Sequence, residues 1–211
     1  FILIKTSIKN AIDPYIMKLH HYREKKLKRI ISELYTVSLF LFSFMFLIAS
    51  FFMKDITLLI GGDKFTDSII YTPYVILIVL ITTVNQYFIY GINFNHRNSL
   101  VLKYLIYSLI INLILSVILI NIWGVAGIIL ANVISSIIYS YLLYRESNKL
   151  YPIEYLKLDN LRIVFSALIV FGIDITYLSN NEYVSHIVII LMFLLINQRV
   201  YFNFKSIYAL N

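Results

Sequence analysis

The sequence predicts an all-α fold: a polytopic membrane helix bundle of about six transmembrane helices with both ends on the cytoplasmic side. Three observations carry that expectation. Sixty per cent of the 211 residues are hydrophobic and only 14% are charged, whereas soluble domains carry about 25% charged residues. Residues 104–144 run for forty-one positions without a charge. A helix of that length would extend roughly 60 Å, twice a hydrocarbon core of about 30 Å, so the stretch must double back. Finally, if successive spans alternate direction, sixteen of the eighteen Lys and Arg fall on one side and only Lys54 and Lys64 on the other, which is the asymmetry that orients loops.

Residues 1–30 read as the end of a preceding helix followed by a basic cytoplasmic linker. Phe1-Ile2-Leu3-Ile4 is too short to span and lacks the order of a signal peptide, so the chain is expected to be a piece of a longer protein. Asp13-Pro14 breaks the arriving helix, since Pro removes a donor and restricts its predecessor. Lys18, Arg23, Lys25, Lys26, Lys28 and Arg29 follow and suit anionic headgroups. His20-His21 is a poor metal pair, because adjacent residues leave a helix on different sides.

Residues 31–145 read as four spans. The first covers residues 34–53, with Glu33 expected near its N-terminus, where a carboxylate suits the helix dipole. A turn at Gly61-Gly62 leads to the second span, about 69–90, in which Pro73 occupies an early position. On its far half and just beyond, Thr82, Gln86, Tyr90 and Asn93, with Asn85 beside them, form a polar stripe. The stripe serves either interhelical hydrogen bonding or the lining of a polar cavity. Arg97 and Lys103 bracket the return loop. The third span, 104 to about 120, repeats the pattern with Tyr104, Ser108, Asn112 and Ser116. The fourth, about 125–144, carries a small-residue seam of Gly124, Gly127, Ala131 and Ser135 beside Asn132, Ser136 and Ser140. Residues 121–127, Asn-Ile-Trp-Gly-Val-Ala-Gly, are expected to form the turn between them. Polar stripes on three consecutive spans point to helices arranged around something wet.

Residues 146–211 read as two further transmembrane helices and a cytoplasmic tail. The spans are 163–178 and 184–196, with Asp174 and His186 near the outer interface, where a snorkelling role outweighs ion coupling. The net charge of +7 is absorbed by loop orientation, and no basic face with interleaved aromatics points to nucleic acid. The chain has no cysteine, hence no disulfide or thiolate metal site. Neither a nucleophile–base pair nor a nucleotide loop stands out, so no enzyme activity and no cofactor are expected.

The order of landmarks resembles the C-terminal lobe of the polysaccharide and O-antigen (oligosaccharide-lipid) flippases of the multidrug/oligosaccharidyl-lipid/polysaccharide exporter superfamily. The matching pieces are Asp13-Pro14 before a basic linker, Leu58-Leu59-Ile60-Gly61-Gly62-Asp63-Lys64-Phe65 and Tyr90-Gly91-Ile92. They continue with Asn112-Leu113-Ile114-Leu115 running into Asn121-Ile122-Trp123-Gly124-Val125-Ala126-Gly127 and on to Asn132. Ile128-Ile129 departs from the small residues common there. The resemblance implies flipping of an undecaprenyl-diphosphate-linked oligosaccharide across a bacterial inner membrane, for surface polysaccharide or lipopolysaccharide synthesis. It also implies alternating access against an N-terminal lobe, and glycan polymerase or ligase machinery as neighbours. Asn85, Gln86, Asn112 and Asn132 are then candidates for the substrate path, and Arg97 and Lys103 for diphosphate capture, against the plainer role of fixing topology. The rival readings are an accessory or scaffold membrane subunit, a non-functional fragment, and a membrane glycan polymerase or glycosyltransferase.

Overall fold

A computed structural model describes residues 6, 10, 13, 14, 16–18, 24–52, 55, 57–59, 69–155, 157–177 and 183–200. The His20-His21 pair, the Gly61-Gly62 turn, the Asp174 side chain and the tail beyond Val200 lie outside these. The described residues are almost entirely helical and contain no strand. Six helices of more than ten residues follow one another: α1 (Glu24–Phe51), α2 (Thr72–Asn93), α3 (Ser99–Trp123), α4 (Val125–Leu150), α5 (Leu158–Tyr177) and α6 (Tyr183–Ile196). The first four are long and apolar enough to cross a membrane.

α1 begins ten residues before the first apolar span predicted from the sequence, because residues 24–33 are themselves strong helix formers joined by i,i+4 ion pairs. Lys28 Nζ lies 2.7 Å from Glu24 Oε1, and Arg29 Nε 2.8 Å from Glu33 Oε1. Glu33 therefore sits inside the helix, bonded to Arg29, and is not a terminal residue. Pro73 is the second residue of α2, where its missing N–H is not needed.

The chain divides into two compact units. The first comprises residues 1–35 and 81–154, the second residues 36–80 and 155–211. In the first, aromatic rings pack α2 against its neighbours. Tyr35 meets Tyr87 edge-on at 5.8 Å, Phe88 meets Tyr144 at 5.6 Å, and Phe94 meets Tyr151 at 5.1 Å. Ser32 Oγ donates to the Glu154 carbonyl at 2.6 Å. α2 and α4 cross where Gly91 faces Ser147, so close that a Cβ on Gly91 would stand 2.2 Å from Ser147 Oγ.

The α3–α4 hairpin turns on one residue. Gly124 alone breaks the helix, with φ 57° and ψ −133°, so the predicted seven-residue turn is mostly helical. That backbone geometry is essentially closed to side chains. Gly127 then lets α4 lie against α3, because a Cβ there would stand 2.2 Å from the Leu119 carbonyl oxygen. The buried face of α4 is a row spaced by four: Gly127, Ala131, Ser135, then Leu143 and Ser147. α3 buries only Ser108 and turns Leu109, Leu113, Val117 and Ile118 outward. Its polar side faces protein and its apolar side faces out, which is the arrangement expected in lipid.

In the second unit Phe40 stacks on Phe193 at 5.6 Å and Phe46 meets Phe171 at 5.0 Å. His186 lies on the Phe51 ring at 5.2 Å. Asn197 is fully buried, and its Nδ2 donates to Ser166 Oγ at 2.9 Å, tying the end of α6 to the first half of α5.

Candidate functional site

All six residues singled out in the sequence belong to the first unit, but they separate into three groups. Asn112 and Asn132 meet across the α3–α4 hairpin. Asn112 Nδ2 donates to Asn132 Oδ1 and to Ser135 Oγ, each at 3.0 Å. Asn132 Nδ2 returns to the Ile128 carbonyl at 3.1 Å, and Ser108 Oγ donates to the Ser135 carbonyl at 2.9 Å. This small network joins two spans through the stripes at four-residue spacing, and within it the amides are largely occupied by one another.

Asn85 and Gln86 are different. Both are buried on the second half of α2, Asn85 at 3% and Gln86 at 8% exposure. Among the described residues, neither the Nδ2 nor the Oδ1 of Asn85 has a hydrogen-bond partner, and neither does Gln86 Oε1. A buried amide left unpaired costs about 1–3 kcal/mol for each polar group. Thr83, two residues before Asn85, is fully buried as well. One turn beyond Gln86, the Tyr90 hydroxyl donates to the Asp13 carboxylate. The polar stripe therefore ends at a carboxylate. In the sequence Asp13 reads only as part of a helix break. Nothing in it linked two residues 77 apart.

Arg97 and Lys103 are exposed. Arg97 lies in the bend after α2, where His96 takes φ 54° and the Arg97 N–H donates to the Ile92 carbonyl at 3.2 Å. Lys103 stands on the first turns of α3, with its Nζ 5.6 Å from the centre of the Tyr107 ring. Asn95 Nδ2 reaches the Leu150 carbonyl at 3.3 Å, bringing the bend to the end of α4. Arg145 and Lys149 lie on that last part of α4, and Lys149 is held by Glu146 at 2.7 Å. Arg97, Lys103, Arg145 and Lys149 thus gather at one end of the unit with Glu146, and Lys28 and Glu24 stand beside Tyr151 at the same end of α4. A rim with an excess of cations attracts anionic groups.

The architecture defines an all-helical protein with four helices of membrane-spanning length. Comparison with known proteins adds no relative, since no family model, curated protein or solved structure matches the chain.

Proposed function

We propose that the chain is the C-terminal lobe of a flippase for polyprenyl-diphosphate-linked oligosaccharides, set in a bacterial cytoplasmic membrane and working against an N-terminal lobe. In this reading α5 and α6 are the fifth and sixth spans and both ends are cytoplasmic. The observation that supports it is Asn85, whose buried amide has neither atom paired among the described residues, with Gln86 Oε1 likewise unpaired beside it. Sugar hydroxyls, which donate and accept, match what these amides leave open, and water fills the same role between cycles. The cationic rim that includes Arg97 and Lys103 would meet the diphosphate before the sugars enter. Asn112 and Asn132 then reach the substrate only in a state where their mutual bond opens.

The test is replacement of Asn85 and Gln86 by Leu in the protein expressed from its full reading frame. With membrane abundance unchanged, surface glycan is expected to fall about tenfold for each substrate hydrogen bond lost, with lipid-linked precursor retained at the inner leaflet. Undiminished export would remove the reading. Its six-span topology is checked separately by labelling Lys149 and Lys64, which should report opposite sides.

A second reading, an assembly subunit with no transported substrate, draws on the α3–α4 hairpin, whose amides satisfy one another and need no ligand. It is favoured if the Leu variants at Asn85 and Gln86 raise stability and leave export intact.

A further inference from the structure

A groove of about 370 Å³ runs between α5 and α6 within the second unit. Phe165, Ile169 and Ile173 form one wall at four-residue spacing, and Ile189, Met192 and Ile196 form the other. From Arg162 at one end to Ile173 at the other is eleven residues, or about 16 Å at a helical rise of roughly 1.5 Å. That is close to half of a hydrocarbon core of about 30 Å, the depth of one leaflet.

The groove surface is apolar throughout, and Arg162 stands at one end of it. Arg162 Nη2 donates to Asp159 Oδ1 at 2.9 Å, while Arg162 Nε is buried with no hydrogen-bond partner among the described residues. The Asn197–Ser166 bond places the end of α6 beside this part of α5. Lys157, Arg162 and Arg199 therefore share one end, opposed there by Asp159. An occupant that matches needs an aliphatic chain about one leaflet long and an anionic group at its end.

We propose that α5 and α6 hold one anionic glycerophospholipid, with an acyl chain in the groove and the phosphate at Arg162. The proposal rests on α5 and α6 lying in the bilayer and is independent of what the protein transports. The cationic end supplies the preference for a net negative headgroup, since each basic side chain at a membrane surface favours anionic lipid.

The experiment is native mass spectrometry of the full protein released from detergent after exchange into equal phosphatidylglycerol and phosphatidylcholine of matched chains. Wild type should retain phosphatidylglycerol about fivefold over phosphatidylcholine. Arg162→Gln should bring that ratio near one, Arg162→Lys should keep most of it, and Asp159→Asn, which frees the guanidinium, should keep or raise it. Ile169→Trp, which fills the groove, should lose both lipids. A wild-type ratio near one, a ratio unchanged by Arg162→Gln, displacement of phosphatidylglycerol by inorganic phosphate, or preferential retention of polyprenyl phosphate would each overturn the proposal. A glycosylation tag placed after residue 180 reports separately whether the α5–α6 connection reaches the outer side, so a failure of the membrane placement is distinguishable from a failure of lipid selectivity.

Discussion

Asn112 Nδ2 on α3 lies 3.0 Å from Asn132 Oδ1 on α4, and the two amides are the centre of the hairpin's polar contact. Helices in lipid gain nothing from burying apolar surface against each other, so a bond of this kind contributes about 0.6 kcal/mol and at most roughly 1.7. The small-residue row on α4 brings the backbones close enough for the bond to form.

The first prediction is a double-mutant cycle on that pair. Asn112→Leu and Asn132→Leu should each destabilise the protein in micelles by about 1–2 kcal/mol, since each leaves a partner amide unmatched. The double variant should show a coupling of about 0.5–1.5 kcal/mol. Additive losses in unfolding measurements would show that the bond carries no stability.

Three glycines separate backbone conformation from space. Gly124 has φ 57° with open space around its missing Cβ, Gly127 has a carbonyl oxygen 2.2 Å from that position, and Gly172 has neither constraint. Gly124→Ala should cost about 1–3 kcal/mol through backbone strain alone. Gly127→Ala should cost about 1–3 kcal/mol through separation of α3 and α4. Gly172→Ala, inside α5, should stabilise by about 0.5–1 kcal/mol, because Ala loses less freedom in a helix. Thermal unfolding in one detergent ranks the three, and a Gly172→Ala loss equal to the others would contradict this division.

The α2–α4 crossing offers a compensating pair. A Cβ on Gly91 meets Ser147 Oγ at 2.2 Å, the Ser147 carbonyl oxygen at 3.1 Å and its Cβ at 3.3 Å. Ser147 Oγ is itself buried without a hydrogen-bond partner among the described residues. Ser147→Ala should therefore be neutral or slightly stabilising, while Gly91→Ala should cost about 1–3 kcal/mol. The double variant should recover part of that cost in the same unfolding assay, because the hydroxyl is the nearest obstacle. No recovery would place the conflict in the Ser147 backbone.

The helices themselves were legible from hydropathy, because a run of apolar residues in lipid has few choices other than a helix. The α3–α4 pairing was also legible, since Ser108 and Asn112 on one stripe and Ala131 and Ser135 on the other recur at four-residue spacing. Their meaning was not, because spacing alone does not tell whether a polar stripe faces a cavity or another stripe. The structure pairs Asn112 with Asn132 and leaves Asn85 unpaired, a distinction made by helix rotation. The start of α1 was missed because residues 24–33 are charged, and a search for uncharged runs passes over a helix held by ion pairs. The Tyr90–Asp13 bond lay beyond reach for a simpler reason: contacts between distant residues leave no periodic trace in one sequence.

Tyr151, just past the end of α4, yields a prediction in pH. Its ring is 6% exposed, lies under Lys28 Nζ at 4.4 Å and packs on Phe94. Burial, with the Glu24 carboxylate adding to it, pushes its hydroxyl up to about 12, from about 10 in an unfolded chain. The unfolded state therefore releases this proton first. Its contribution to stability is complete below about pH 10 and is lost as pH rises toward 12. Tyr151→Phe keeps the ring contacts and removes the titration, so the variant's stability should fall less steeply than wild type across that interval. The comparison is made by unfolding at a series of alkaline pH values, with Lys28 and Glu24 intact in both proteins so that their own titration cancels in the difference. Parallel curves for the two proteins would show that the Tyr151 hydroxyl ionises as readily folded as unfolded.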